Sequence, residues 1–425
     1  YKRSLRFMKI VYLHQYFNTP DMSGGTRSYE MARRLVDKWH EVHMITSWRE
    51  VSDHKTWYGS EIEGIHVHWL PVNYSNQMNH VQRIKAFFKF AYASAKKAAS
   101  IQGDIVFATS TPLTIALPAV YAAKKQKKLM VFEVRDLWPE LPIAMGALKN
   151  PVTRFMAHRL EKFAYNNAAA VVALSPGMRD GVLRTGYTPN QVAVIPNSSD
   201  IDMFRVDSSA GAKFREQRSW LGDRPLLIYT GTFGLINGVG YMVELAVELQ
   251  ALNSDVCILL IGNGKEFDKV KTASESAGVL NKNLFIEAQL PKKDIPSALS
   301  AATMASSLFI DKPEMRPNSA NKFFDALAAG KPVMINYGGW MHDLITSRGC
   351  GLAMWKMPLN TAAIKLDEVM HNQEWLSKAS LASAELASKN FDRDVLAQEL
   401  ENVLIKTLNS QAAQVSEIAP GHYPS

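Results

Sequence analysis

Three polar residues recur at helical spacing inside an otherwise apolar stretch, Asn318-Ser-Ala-Asn-Lys-Phe-Phe-Asp-Ala-Leu-Ala-Ala-Gly-Lys-Pro-Val-Met-Ile-Asn336. Asn321 and Asp325 are four apart and share a face, and Lys322 lies close to it. Asn318 and Ser319 stand where a helix N-cap belongs. Phe323, Phe324, Leu327 and Ala328 follow at helical spacing; Gly330 ends the helix and Pro332 forbids its continuation into the strand beginning at Val333. Amides at a helix N-terminus, with a Lys, suit a phosphate. A carboxylate one turn deeper suits a sugar diol, because it can accept from two hydroxyls. Together these groups fit a nucleotide-sugar. The plainer alternative is a capped helix with an Asp–Lys surface pair.

Other loops carry similar potential. Gly24-Gly25 follows an apolar run and leads a helix, where backbone can approach an anion. Gly231-Thr-Phe-Gly234-Leu-Ile-Asn237-Gly238 and Gly262-Asn-Gly264-Lys265 also follow apolar runs. Their glycine spacing fits neither a dinucleotide fingerprint nor a Walker A loop. Glu133, Arg135, Asp136 and Glu140 put four charges in eight residues beside a strand, which is costly unless they pair or face a site. Arg135 and Asp136 are read as a wall facing sugars, with an ion pair as the alternative. Asp200-Ile-Asp202 and Asp392-Arg-Asp394 spell a metal-binding D-x-D, but capping is the expected role. His66-x-His68 shares a strand face, but no third ligand is near in sequence. Neither is expected to hold a metal.

These groups need elements to position them. Apolar runs alternating with helical patterns predict a parallel α/β sheet from Lys9 to about residue 200, and the pattern restarts at Leu226. Ligands in such sheets sit beyond the carboxyl ends of the strands. The expected division is 8–200 and 201–391, with a helix at about 392–409 returning to the first domain and an unstructured tail at 410–425. With 425 residues and 47% hydrophobic side chains the chain can bury two cores. Two cysteines make no disulfide framework, which suggests a reducing cytoplasm. The net charge of +8 is uneven: residues 1–200 carry +11 and the remainder −3.

The stretch Asn-Lys-Phe-Phe-Asp-x-Leu-Ala-Ala-Gly-Lys-Pro-Val resembles the donor-binding helix of glycosyltransferase family 4, retaining enzymes of the GT-B fold. It is nearest to the bacterial branch of L-fucosamine-type transferases of surface polysaccharide (O-antigen, capsule) assembly. The family signature has two Glu residues eight apart; here Asp325 takes the second place and Pro317 the first. The resemblance extends from Lys9 to about Leu408. It implies two Rossmann-like domains facing a central cleft, the first on the acceptor and membrane side and the second binding the donor. It also implies a donor site comprising Gly24, Gly25, Gly231, Gly234, Asn237, Gly264, Lys265, Leu290, Asn318, Ser319, Asn321 and Asp325. Gly264 and Leu290 would flank the nucleotide base, and Asp325 the ribose. The family often carries a Lys at the Asn237 position to neutralise the diphosphate; Lys322 is the preferred substitute, before Arg316 or Lys265. Lys322, Arg135 and Asp136 are the catalytic candidates.

The implied reaction is metal-independent transfer, with retention, of an amino-deoxyhexose or N-acetylhexosamine from a UDP-linked donor to a lipid-linked oligosaccharide. The donor is a co-substrate; no cofactor and no nucleic-acid partner are expected. A UDP-sugar 2-epimerase of the same fold and a non-catalytic sugar-nucleotide-binding or scaffold subunit are the rivals. No apolar run is long enough to span a bilayer. The stretch 80–97 reads instead as a helix with Phe87, Phe88, Tyr92 and Ile84 on one face and Lys85, Lys89 and Lys96 on the other. Such a helix can lie on an anionic membrane. The expected location is therefore peripheral, on the inner face of the cytoplasmic membrane.

Overall fold

The computed structural model describes residues 7–22, 24–74 and 78–418. It falls into two compact units. One holds the chain up to Pro196 together with the segment from Asp394; the other is Asn197–Arg393.

The first unit is built on eight strands: β1 (Lys9–Leu13), β2 (Glu41–Trp48), β3 (Tyr58–Ile62), β4 (Ile65–Pro71), β5 (Ile105–Thr109), β6 (Leu129–Val134), β7 (Ala170–Ala173) and β8 (Val192–Val194). Their order is β3-β4-β2-β1-β5-β6-β7-β8. All neighbouring pairs are parallel except the β3–β4 hairpin. That hairpin was not expected at its first strand. β3 is an edge strand whose middle residues are exposed, so it lacks the apolar run that marks its neighbours.

Both faces of this sheet are covered. Val11, Leu13, Ile45 and Val106 pack on one face with Phe90 and Ala119, which belong to the helices His80–Ser100 and Ala116–Gln126. Ile10, Tyr12, Val42 and Phe107 pack on the other face with Tyr29, Leu35, Leu396, Leu400, Leu404 and Leu408. The last four recur every fourth residue along the helix Arg393–Ile418. Glu401 on that helix is buried and accepts from Lys38 Nζ (2.8 Å) and lies 3.0 Å from His40 Nε2. The helix continues to Ile418, so residues 410–418 are helical and not the unstructured tail expected; residues 419–425 of that tail lie outside the described residues.

The second unit has six parallel strands: β9 (Leu226–Thr230), β10 (Cys257–Ile261), β11 (Leu284–Glu287), β12 (Met304–Ser307), β13 (Val333–Ile335) and β14 (Gly351–Ala353), in the order β11-β10-β9-β12-β13-β14. The direction of winding reverses between β9 and β12. In the first sheet it reverses between β1 and β5. The loops after these strands are where such sheets hold ligands.

Candidate active site

In the second unit, β9 delivers Gly231 and β10 delivers Gly262. The two loops are laced together: Gly231 N donates to Ile261 O, Phe233 N to Asn263 O and Glu266 N to Phe233 O. A Cβ on Gly262 would lie 1.8 Å from Gly231 O, and one on Gly264 would strike the Phe233 backbone. Gly234 packs on Asn237, whose side chain is buried.

Lys322 reaches this loop from the helix Asn321–Ala328. Its Nζ donates to the Tyr229 hydroxyl (3.0 Å), lies 4.5 Å from the centre of that ring, and would be 3.0 Å from a Cβ on Gly231. Gly231 has φ +153°, so it is both sterically and conformationally the residue this contact requires. Tyr229 in turn donates to Thr232 O. No carboxylate among the described residues lies in ion-pair reach of Lys322. Burial pushes its pKa down to about 8. An ammonium held this way is stabilised by an incoming anion.

One turn along, Asp325 accepts from Ser199 Oγ (2.6 Å), and burial raises its pKa despite that bond and the nearby Lys292 and Arg393. The expected N-cap differs: Ala320 occupies it, and no side chain caps the helix. Ser319 Oγ instead accepts from Asn197 N, and Asn318 Nδ2 donates to Met315 O. Trp340 Nε1 donates to Asn318 O, fixing the turn before the helix. Asn321 is its first residue and is partly buried. Lys265 is exposed and Leu290 partly buried, each on the loop expected. Arg316 lies over the face of Trp355, 4.9 Å from the ring centre.

Arg135 and Asp136 lie in the first unit, after β6. They do not face each other. Asp136 accepts from Thr111 Oγ1 (2.9 Å), whereas Arg135 Nη1 meets His14 Nε2 (3.2 Å). Sequence reasoning passed over His14, although it is the first residue beyond β1. It is buried, and its pKa is held well below the usual value by burial, then by Arg135 and Arg49. With Arg135 donating to Nε2, the proton sits on Nδ1 and is donated to Ser28 Oγ (2.6 Å). Glu133 serves the scaffold: it pairs with Arg27 (2.9 Å) and accepts from Thr109 Oγ1 (2.6 Å), both deep in the unit. The Gly24–Gly25 turn leads the helix that starts at Arg27. Gly24 has φ +127° and packs on Asn18, which donates to Gly25 O.

One carboxylate of each D-x-D pair is held by an arginine. Asp200 is bound by Arg393 and makes no side-chain cap, a departure from the capping role expected; Asp394 accepts from Arg34 Nε.

Residues 24–198 match the family described as glycosyl transferase 4-like domain, and residues 212–384 match glycosyl transferases group 1. The chain is 28% identical over 154 residues to the alpha-D-kanosaminyltransferase of Streptomyces kanamyceticus, covering 35% of this chain and 39% of that protein. It is 22% identical over 250 residues to a GDP-mannose-dependent alpha-(1-6)-phosphatidylinositol monomannoside mannosyltransferase of Mycolicibacterium smegmatis, covering 55% and 58%. The matches thus span well under two thirds of either relative. Among solved structures, Anabaena HepE in complex with UDP superposes with a TM-score of 0.70 at 15% identity, covering 94% of this chain and all of that one. The shared architecture is the GT-B fold, two parallel-sheet α/β domains.

Proposed function

From the premise that this chain belongs to the GT-B glycosyltransferases, with a 4-like domain followed by a group 1 domain, we propose that it transfers a sugar from a nucleotide-sugar donor, with UDP as the nucleotide. The observation that carries this reading is Lys322, an ammonium beside the Gly231 backbone with no carboxylate partner among the described residues. Negative charge grows on the donor diphosphate as the glycosidic bond breaks. Lys322 and the first-turn amides of its helix stabilise that charge electrostatically. Asp325 accepts from the ribose hydroxyls with the oxygen that Ser199 leaves free.

The transferred group is read as an amino-deoxyhexose, L-fucosamine-like, or an N-acetylhexosamine, and the acceptor as a lipid-linked oligosaccharide of bacterial surface polysaccharide. The mechanism is retaining and needs no metal: the acceptor attacks from the face the diphosphate leaves, with Arg135 and Asp136 orienting the sugars. Support for the acceptor comes from the relative that acts on a phosphatidylinositol mannoside and from two helices, α1 (His80–Ser100) and α2 (Ala116–Gln126). No helix among the described residues is long and apolar enough to cross a membrane. The buried stripe of α1 is Ala86, Phe90, Ala91, Ser94 and Ala98, and Phe87 stacks towards Tyr74. The aromatics therefore do not form one face opposite the lysines, as the sequence implied. Ile84, Phe88 and Tyr92 are exposed alongside Lys85, Lys89 and Lys96, with Lys96 Nζ 5.3 Å from the Tyr92 ring, and Tyr121 of α2 adds to the patch. An exposed face mixing aromatics with lysines suits an anionic membrane surface.

The test is a panel of nucleotide-sugars incubated with extracted lipid-linked saccharides, with the product anomer assigned by NMR. Transfer with retention is the expected result. An epimerised donor appearing without acceptor, or donor binding with no transfer to any acceptor, would replace this reading.

A further inference from the structure

His66-x-His68 gains in the fold the partners it lacks in sequence. The β2–β4 register sets His43 beside His66, and the β3–β4 register sets Glu61 on the other side of His66. Glu41 lies two residues before His43 and so on the same face of β2. Glu41, His43 and His66 each offer a ligand atom, and all three atoms lie within 4.8 Å of one another. The rings of His43 and His66 stack with centroids 4.8 Å apart. His43 Nε2 lies 2.7 Å from Glu41 Oε1, and its Nδ1 lies 3.1 Å from His68 Nε2.

We infer that this cluster is a site for a divalent cation of the zinc class, ligated by Glu41, His43 and His66, with His68 holding the ring of His43. Two imidazoles and a carboxylate form a donor set suited to Zn²⁺, with a fourth position left for water. Binding through Nε2 puts the His43 proton on Nδ1, where it is donated to His68 Nε2; such outer partners fix the tautomer of a metal-bound His. Lys9 Nζ is 2.7 Å from Glu41 Oε1, but that pair is partly exposed and therefore weak, and the carboxylate has a second oxygen. The cluster lies towards the strand ends where β1 and β2 begin. His14 and Arg135 follow the opposite ends of β1 and β6. The cation would therefore clamp β2 to β4, next to the exposed edge strand β3, and take no part in the transfer chemistry.

The experiment uses tag-free, EDTA-stripped protein. Zn²⁺ is titrated by calorimetry, and Co²⁺ by the visible absorption of its four-coordinate complex. The expected result is saturable binding of one ion per chain with a rise in Tm. His66→Ala, a partly exposed position, should weaken binding more than tenfold without loss of fold. His43→Ala should do the same, and His68→Phe should weaken it about tenfold. His371→Ala, in an exposed His–Asp cluster of the second unit, should leave it unchanged. Absence of stoichiometric binding, or binding that His66→Ala leaves intact in a folded protein, overturns the assignment.

Discussion

At the residue scale, Lys322 and Asp325 make separable predictions. Charged hydrogen bonds contribute about 1.5–3 kcal/mol each, so Asp325→Ala should weaken UDP binding tenfold or more. Calorimetry on a variant with unchanged circular dichroism checks this, and unchanged affinity would remove Asp325 from the site. On the proposed reading, in which Lys322 acts on the departing diphosphate, Lys322→Gln should lower kcat more than it raises the donor Kd. Its pKa near 8 adds a pH signature. The protonated amine is the anion-binding form, so wild-type UDP affinity should fall as pH rises through about 8. Below that pH the ammonium is already formed and the affinity levels off. The dependence should vanish in Lys322→Gln; if it persists there, another group carries it. Both residues were legible in the sequence, because a Lys and an Asp interrupt an apolar helical pattern. The partners of the site were not: Ser199 is 126 residues from Asp325, and only the fold brings them together.

At the element scale, most of the parallel strands were legible because they carry apolar runs bounded by Gly, Pro and polar turns; β14, three residues long and opening on Gly351, was not. β3 was not, because an exposed edge strand carries no such signal. The cap of the Asn321 helix was misread for a related reason. Asn318 and Ser319 have capping chemistry, but their side chains are taken by Met315 and Asn197. The amphipathic pattern of α1 gave the helix correctly and its facing incorrectly, since small residues rather than aromatics supply most of its buried stripe. The corrected facing sharpens the membrane prediction. Each Lys near an anionic surface contributes about 1 kcal/mol, so Lys85→Glu/Lys89→Glu/Lys96→Glu should release the protein from vesicles containing phosphatidylglycerol at low salt. UDP affinity should not change. Equal co-sedimentation of the triple variant and wild type would exclude α1 as the attachment.

At the scale of the whole molecule, the chain visits the first unit twice and the second once. The second unit is a continuous segment with its own core around Leu227, Leu260, Met304 and Leu366. It also contains Gly231, Lys322, Asp325 and Ser199. Residues 197–393 produced alone should therefore fold and bind UDP. The first unit has no such independence. Without the helix that begins at Arg393, Ile10, Tyr12 and Val42 lose Leu396, Leu400, Leu404 and Leu408 from their face of the sheet. Removing even one buried Leu side chain costs about 2–5 kcal/mol, and the net stability of a domain is only about 5–15 kcal/mol. Glu401 would also leave Lys38 and His40 without their shared carboxylate. Residues 7–196 alone should then show no cooperative thermal transition, and supplying residues 394–418 through a flexible linker should restore one. A cooperative transition in 7–196 alone would show that the returning helix is dispensable to the sheet it covers.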